Sequence, residues 1–371
     1  MKILIAGGHL SPAIAVIEEL KKKHEVVYVG RKYAMEGDNA LSLEYQTVPG
    51  LGIKFEEINP GRLQRYFTRH TIPSLMRLPR GYKEAFHVIK RIKPDIVLGF
   101  GGYVQLPIII GASLLRIPVV IHEQTFEAGL SNKLSSKFAK FICVSHKSSL
   151  KFFPKNKTIV TGNPVRADIL QSEGKIKQPS GSDPLIYITG GSLGSHFINE
   201  LVLEQFEVLL DKYRIIHQSG DAKKFNDFEK LSKKKEELGK LGEKYLVFKF
   251  LDPSEVGFIM KNADLVVSRG GANTITELYI LGKPSLVIPL PFGDSKEQIK
   301  NAKFLKESGL AEVLDQKNLD ASSFLDRIND MIKNINKYKR KEELEIPIDS
   351  VGKIISVLED AASKKTNSEK K

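Results

Sequence analysis

The chain has 371 residues, more than a single hydrophobic core usually serves, so two domains are expected. Its 41% hydrophobic and 27% charged residues are typical of a soluble globular protein, and its one cysteine, Cys143, excludes an internal disulfide and a cysteine-based zinc site. The net charge of +13 indicates an anionic partner, for which nucleic acid, an anionic lipid leaflet and a phosphorylated substrate are the candidates. The apolar run Ile3–Ala6 is too short for a signal peptide, and no run of about 18 apolar residues follows, so we expect a cytosolic protein without a transmembrane span.

Short β-branched runs alternate with longer helical segments, such as Pro12–Lys23 and Gln298–Ser308, which favours parallel sheets with crossover helices. In the first half, we expect strands at Lys2–Ala6, Val26–Val29, Asp95–Phe100, Val119–His122 and Phe141–Val144. In the second half, we expect strands at Leu185–Thr189, Arg214–His217, Leu246–Phe250, Leu265–Ser268 and Ser285–Ile288.

The two halves begin alike. Lys2–Ala6 leads through two glycines into a helix, and Leu185–Thr189 leads through Gly190–Gly194 into another. This repeat predicts an α/β fold of two Rossmann-like domains that face each other across a cleft. We expect domains at residues 1–164 and 165–345, a terminal helix at about 346–364 that returns to the first domain, and a disordered tail at 365–371.

Several segments that follow apolar strands are polar or rich in glycine. The carboxyl ends of parallel strands meet at one edge of a sheet, where ligands bind, so these segments predict a ligand site. No complete G-x-G-x-x-G and no G-x-x-x-x-G-K-[ST] is present, which disfavours NAD and excludes P-loop chemistry. The segments are Gly99–Tyr103, His122–Gln124, Gly162–Arg166, His217–Gly220, Ser268–Glu277 and Gln298–Ala302.

In order and spacing, most of these segments, together with Gly190–Gly194, resemble the MurG family of N-acetylglucosaminyltransferases over residues 2 to about 362. The resemblance implies the GT-B fold and inverting transfer of N-acetylglucosamine from UDP-N-acetylglucosamine to a polyprenyl-diphosphate-linked muramoyl pentapeptide in peptidoglycan synthesis. It also implies no cofactor and no metal for the sugar donor, and the sequence has no Asp-x-Asp motif. The alternatives are a related enzyme with another lipid or small-molecule acceptor, a UDP-sugar epimerase, and a non-catalytic UDP-sugar-binding subunit.

Residues carried over by position give a donor site, mainly after Asp183. Glu277 matches the family's ribose ligand, although Thr274-x-x-Glu277 also fits a helix capping box. Leu251 matches the position that holds the uracil, with an ordinary core leucine as the alternative. The expected donor-binding residues are Arg166, Gly191, Ser192, Leu251, Ala272, Thr274, Glu277 and Gln298.

His9 and Glu123 match polar residues of the acceptor side, where a base must take the proton of the attacking hydroxyl. The first glycine loop is three residues shorter than the family's, so it offers fewer N–H groups to an acceptor diphosphate. We therefore expect His9 to share that contact and Glu123 to be the stronger candidate base. Thr125 stands where the family commonly has Asn. The expected acceptor-binding residues are Gly8, His9, Tyr103 and Thr125.

Residues 62–93 carry nine basic side chains against one acid, Glu84, with apolar residues between them. This pattern predicts an interfacial patch that holds the protein peripherally on the anionic inner face of the cell membrane. A solvated face with core-facing apolar residues is the alternative, and the absence of a nucleic-acid-binding motif disfavours nucleic acid. The basic residues are Arg62, Arg65, Arg69, Arg77, Arg80, Lys83, Lys90, Arg91 and Lys93.

Overall fold

The structure is a computed structural model that describes residues 1–33, 41–60, 78–170, 174–191, 194–222, 224–291, 295–341, 347 and 349–366. The chain divides into two compact units, Met1–Arg166 with Ile346–Lys371, and Ala167–Glu345. The first unit gives way to the second after Arg166, two residues beyond the predicted boundary at 164/165. Each unit has an all-parallel sheet, so the predicted α/β class with two Rossmann-like domains is confirmed.

The first unit contains a seven-stranded sheet among the described residues. Its strands are β1 (Lys2–Ala6), β2 (Glu25–Gly30), β3 (Lys54–Glu57), β4 (Ile96–Gly99), β5 (Val119–Glu123), β6 (Phe141–Val144) and β7 (Thr158–Val160). They lie in the order β3-β2-β1-β4-β5-β6-β7. The helices are α1 (Leu10–Leu20), α2 (Leu43–Thr47), α3 (Leu78–Ile92), α4 (Gly102–Leu114) and α5 (Leu130–Ser135), with short 3₁₀ helices at Pro49–Leu51, Lys147–Phe152 and Lys155–Lys157.

The central strand β1 is apolar on both faces because helices cover both sides of the sheet. Leu4 and Ala6 belong to one buried cluster, whereas Ile3 and Ile5 belong to the other. In register, Ile3 lies beside Val26 on one side and Ile96 on the other. The carboxyl ends of β1, β4 and β5 therefore meet at one edge, and their following loops hold the polar segments predicted from the sequence.

The second unit contains a six-stranded sheet within the described ranges. Its strands are β8 (Leu185–Thr189), β9 (Arg214–Gln218), β10 (Tyr245–Phe248), β11 (Leu265–Ser268), β12 (Ser285–Val287) and β13 (Ala311–Val313), in the order β10-β9-β8-β11-β12-β13. Its helices are α6 (Ala167–Leu170), α7 (His196–Glu204), α8 (Phe206–Lys212), α9 (Asp227–Glu237), α10 (Pro253–Asn262), α11 (Ala272–Leu281), α12 (Ser295–Glu307) and α13 (Ala321–Lys333). Short 3₁₀ helices lie at Leu241–Lys244, Gln316–Asn318 and Ile335–Lys337.

The terminal helix α14 (Ser350–Thr366) packs in the first unit. Ile354, Leu358 and Ala361 are buried in the cluster that also holds Ile3 and Ile5. No helix within the described part of the chain is long and apolar enough to cross a membrane.

Three strands were not expected from the sequence: β3, β7 and β13. All three are short and lie at sheet edges, with only partly buried patterns. An edge strand has one unpaired side and less apolar surface to bury, so its sequence does not show the continuous β-branched run of a central strand.

Candidate active site

A cavity of about 510 Å³ lies in the second unit, where the loops after β8, β11 and β12 meet. We call it the glycine-turn cavity. The residues that line it are Gly190, Gly191, Gly194, Ser195, His196, Phe197, Arg269, Gly271, Ala272, Asn273, Thr274, Leu290 and Gln298. The sequence-predicted residues Gly191, Ala272, Thr274 and Gln298 are thus brought together at one cavity.

The turn Gly190–Gly194 joins β8 to α7 and requires glycine. A Cβ on Gly190 would overlap the backbone of Gly194 and Ser195, and Gly194 has a φ of +75°. Ser195 is the N-cap of α7, and its side chain accepts a hydrogen bond from the Ile198 N–H. The positive end of the α7 dipole, with its first N–H groups, therefore lies at the cavity wall, as in anion-binding sites.

Arg269 follows β11 and lines the same cavity. It is only 7% exposed, and burial lowers the pKa of Arg269 to about 10. Its Nη1 donates to the carbonyl of Ile288 (2.9 Å) and to Oε1 of Gln316 (2.7 Å). Its Nε is buried and has no hydrogen-bond partner among the described residues. A buried guanidinium with an unused donor costs free energy, which an anionic ligand in the cavity would recover.

Gln298 and its helix α12 close another side of the cavity. Oε1 of Gln298 accepts from the Leu290 N–H (3.1 Å), so the side chain holds the loop after β12. One turn further, Nδ2 of Asn301 donates to the carbonyl of Gly270 (2.8 Å), which ties α12 to the loop before α11. Gln298 therefore lines the cavity, and Asn301 fixes the helix that carries it.

Glu277 is buried on α11, and the capping-box alternative for it is wrong. The helix begins at Ala272 with Gly271 as N-cap and no side-chain capping bond, so Thr274 lies inside the helix. Glu277 is three residues beyond Thr274 and four beyond Asn273, on the helix face that these lining residues share. Burial, and to a smaller extent the Glu277 charge, raise the pKa of Tyr187 in β8.

Besides Glu277, two predicted donor residues of the described chain, Leu251 and Arg166, are not among the residues that line the cavity. Leu251 is partly buried in the loop before α10 and does not line the glycine-turn cavity. Ser192 lies outside the described residues. Arg166, the last residue of the first unit's main segment, has a buried Nε without a hydrogen-bond partner in the described chain, and no ion pair is found for it there.

In the first unit, His9 is the N-cap residue of α1, directly after the first glycine turn. Its Nδ1 lies 3.0 Å from the carbonyl oxygen of Phe100 and must donate to it. In the neutral ring this fixes the tautomer, so Nε2 carries the lone pair. His9 therefore offers a nitrogen base whose orientation is held by the loop after β4.

Glu123, at the end of β5, is 1% exposed and accepts four hydrogen bonds. Oε1 accepts from the Thr125 N–H (3.0 Å) and from Oγ1 of Thr125 (2.8 Å), whose single hydroxyl proton is shared with the Glu127 carbonyl. Oε2 accepts from the Gly129 N–H (2.8 Å) and Nδ2 of Asn132 (3.0 Å). A carboxylate has about four acceptor positions, and all are used here. Glu123 therefore holds the loop after β5 and the start of α5, and the predicted ranking of Glu123 above His9 as the base stays a prediction.

The other predicted acceptor residues surround these two. Gly8 packs against the loop after β4, because a Cβ there would overlap the carbonyls of Phe100 and Gly101. Tyr103 is partly buried, with the guanidinium of Arg31 5.8 Å from its ring centre. Thr125 is hydrogen-bonded to Glu123, so the side chain that is expected to contact the sugar already has a structural role.

Part of the predicted basic patch falls on residues 61–77, outside the described residues. In the described part, α3 turns Ala85, Val88 and Ile89 into the core, as the solvated-face alternative expects. Arg80 and Lys83 are exposed on its outer side. Arg91 pairs with Glu56, so this cation is partly neutralised.

Two family profiles match the chain: the glycosyltransferase family 28 N-terminal domain over residues 6–144 and its C-terminal domain over residues 185–351. A UDP-N-acetylglucosamine–N-acetylmuramyl-(pentapeptide) pyrophosphoryl-undecaprenol N-acetylglucosamine transferase of Clostridium tetani is 36% identical over 368 residues, covering 96% of this chain and 97% of the relative. The chain belongs to glycosyltransferase family 28. A relative of the same name from Clostridium novyi is 35% identical over 370 residues, covering 96% of this chain and 98% of that protein.

Solved structures agree with this family 28 assignment at the level of fold. Acinetobacter baumannii MurG superposes with a TM-score of 0.70 at 23% identity, covering 97% of this chain and 99% of that one. A UDP-GlcNAc 2-epimerase from Neisseria meningitidis bound to UDP-GlcNAc gives 0.65 at 16% identity, covering 97% and 100%. The predicted resemblance to the MurG family is confirmed by the relatives from Clostridium tetani and Clostridium novyi.

Sequence reasoning missed several residues in each of the two candidate regions. Nε2 of Gln105 donates to Oδ1 of Asn132 (2.6 Å), and Oε1 of Gln105 accepts from the Gly101 N–H (2.7 Å). These bonds link the loop after β4, whose Phe100 bonds His9, to Asn132 of α5, which bonds Glu123. In the other unit, the sequence assigned no role to Arg269 or His196. The position of Arg269 directly after an apolar strand was a usable signal.

Proposed function

We propose that the protein transfers N-acetylglucosamine from UDP-N-acetylglucosamine to N-acetylmuramyl-(pentapeptide) pyrophosphoryl-undecaprenol, a step of peptidoglycan synthesis. As a member of family 28, the protein is a glycosyltransferase. The observation that carries the specific reaction is the 36% identity, across 96% of the chain, to a relative with this name.

The glycine-turn cavity suits the donor. The α7 N-terminus and Arg269 supply N–H donors and positive charge for a diphosphate, and the unpartnered Nε of Arg269 supports this assignment. Glu277 would accept hydrogen bonds from the ribose hydroxyls. Ala272, Thr274 and Gln298 line the same space.

The reaction is a single displacement at the anomeric carbon, which inverts its configuration. The acceptor hydroxyl oxygen forms the new bond to this carbon while the bond to the β-phosphate oxygen breaks. The electron pair leaves with UDP, and the hydroxyl proton passes to Nε2 of His9. Donors aimed at the diphosphate stabilise the charge that develops on the leaving group.

We propose that the donor is bound without a metal ion and without another cofactor. Arg269 and the α7 N-terminus supply the positive charge that a divalent ion supplies to diphosphates in other sites. The basic outer face of α3, with Arg80 and Lys83 exposed, supports peripheral attachment to the anionic cytoplasmic face of the membrane.

The direct test is transfer of labelled N-acetylglucosamine to a lipid-linked muramoyl pentapeptide by the purified full chain, with EDTA present throughout. We expect a disaccharide lipid and an equal amount of UDP. Conversion of the donor to an epimer without transfer would overturn the proposed reaction. Activity lost in EDTA and restored by a divalent ion would overturn metal independence.

The membrane proposal is tested separately by sedimentation with anionic and neutral vesicles. The Arg80→Ser, Lys83→Ser, Lys90→Ser variant should lose salt-sensitive binding to anionic vesicles, at about 1 kcal/mol for each cation near the surface. UDP affinity is the control and should stay unchanged. Wild-type-like sedimentation of the variant would remove α3 from the membrane contact.

A further inference from the structure

His196 is the first residue of α7 and lines the glycine-turn cavity. Its Nδ1 lies 2.8 Å from Oδ1 of Asp227, which is 4% exposed. The ring of Phe225 stacks on the imidazole, with the ring centres 3.8 Å apart and 9° between the planes. The ring is therefore fixed in position and in plane, and Nε2 is the nitrogen left for a ligand.

Asp227 is held in turn by a buried chain of hydrogen bonds. Nδ2 of Asn199 donates to Oδ2 of Asp227 (2.8 Å), and Oδ1 of Asn199 accepts from Nε2 of His217 (3.0 Å). Burial lowers the pKa of His217 to about 3, so this ring is neutral and its Nδ1 accepts from the Tyr245 hydroxyl (2.7 Å). Every donor in this chain of bonds therefore meets an acceptor. Because Asn199 bonds Oδ2 of Asp227, Oδ1 is the oxygen that accepts from His196.

The cavity side of His196 is suited to an anion. The α7 N-terminus opens there, and the buried, unpartnered Nε of Arg269 is an independent indication of a negatively charged ligand. A protonated imidazole donates from both nitrogens, so His196 can bond Asp227 and a phosphate oxygen at once. The Asp227 carboxylate compensates the charge on the ring.

We propose that His196, oriented by Asp227, is a ligand of the donor diphosphate, and that Asp227 is its positioning residue. This assignment rests on the proposed use of a UDP-sugar. It adds to the donor site a cation that is not part of the sequence-predicted set.

The same side chains also offer the one geometric alternative found in the described chain, a metal site of His196, Glu200 and Asp227. Nδ1 of His196 is 3.9 Å from Oε1 of Glu200. A metal ion would have to replace the Nδ1–Asp227 hydrogen bond. The existing bonds to both oxygens of Asp227 favour the phosphate role, and the experiment separates the two.

The test compares UDP with uridine as ligands of the full chain, by calorimetry in EDTA. His196→Gln removes the cation and should weaken UDP by ~10-fold or more while leaving uridine unchanged, because the lost bond is charge-assisted and reaches only phosphate. His196→Arg restores a permanent cation and should recover most of the UDP affinity. Glu200→Gln is the matched control and should leave both affinities unchanged.

Asp227 is tested by coupling. Asp227→Asn should weaken UDP and not uridine, and adding it to His196→Gln should cause little further loss, since it acts through that ring. Equal UDP affinity of wild type and His196→Gln would overturn the proposal, as would a parallel loss of uridine. UDP affinity that collapses in EDTA and in Glu200→Gln would establish the metal site instead. A wild-type protein that binds no UDP would refute the proposed donor itself.

Discussion

The surroundings of Glu123 in the first unit and the glycine-turn cavity of the second unit differ in how completely their polar groups are hydrogen-bonded. Around Glu123, four donors meet four acceptor positions, and Gln105 and Asn132 bond each other as well as the neighbouring loops. Around the glycine turn, the α7 N-terminus lines the cavity and the Nε of Arg269 has no partner in the described residues.

We interpret the fully bonded surroundings of Glu123 as a structural framework and the glycine-turn cavity, with its unpartnered donor, as a ligand site. A buried donor without a partner costs about 1–3 kcal/mol, which is acceptable where a charged ligand supplies the missing acceptor. The first unit has nothing of this kind at Glu123 and instead uses its bonds to hold loops around His9. We therefore expect substitutions in the first unit to affect kcat or stability, and those in the second unit to affect donor binding.

The largest expected effect is at His9. His9→Asn places an amide nitrogen near the position of Nδ1, so it can keep the bond to the Phe100 carbonyl while Nε2 is lost. We expect kcat to fall by ~10²–10⁴, the range for a lost general base, with donor KM little changed. Steady-state kinetics with saturating acceptor measures this.

Glu123→Gln is the companion variant. The amide group can accept at one oxygen only, so its nitrogen must face donors that the carboxylate had satisfied. We expect a loss of about 1–3 kcal/mol in unfolding free energy and a kcat that falls less than in His9→Asn. A Glu123→Gln protein that is stable but nearly inactive, beside an active His9→Asn protein, would return the base role to Glu123.

The next largest effect is expected at Glu277. Glu277→Gln removes a charged acceptor from the ribose, so donor KM should rise by ~10–100-fold while kcat changes little. Wild type should also prefer UDP over 2′-deoxy-UDP, and the variant should lose this preference. Thr276→Val, which removes a hydroxyl bonded to the Ala272 carbonyl of the same helix, is the control. Unchanged donor KM and unchanged discrimination would remove Glu277 from the ribose site.

The sequence predicted those parts of the fold and site that depend on neighbouring residues. The central strands were located because both faces are buried, and the Gly190–Gly194 turn because a strand, glycines and a helix start follow one another. Gly191, Ala272, Thr274 and Gln298 reach one cavity because parallel strands end at one edge.

The features that the sequence did not predict depend on partners that are distant in the sequence, or on the residue at which a helix begins. The four donors to Glu123 come from Thr125 and Gly129 in the loop after β5 and from Asn132 on α5, and the sequence does not show the path of this loop. His196 gains its partner Asp227 from the start of α9, 31 residues later. The capping-box alternative failed because α11 begins two residues before Thr274, and a Thr-x-x-Glu pattern fits several registers of one helix.

The smallest expected effect concerns acid stability of the two units. Burial lowers the pKa of His122 to about 4 and that of His146 to about 3 in the first unit, and that of His217 to about 3 in the second. The usual value is 6.5, so below this pH the unfolded chain binds protons that the folded chain does not. Stability present above pH 6.5 is therefore lost as the pH falls toward 4.

Each such histidine costs about 1.4 kcal/mol per pH unit in this window, so the first unit should lose stability about twice as steeply from this source. The chain has no tryptophan, so Phe141→Trp and Phe258→Trp, both partly buried, would report one unit each. Urea unfolding of each reporter protein between pH 7 and pH 5 gives the two slopes. Adding His146→Gln should bring the slope of the first unit close to that of the second. Equal slopes before that substitution would mean that the buried histidines do not set the acid stability of the units, and that the contrast between them is confined to their sites.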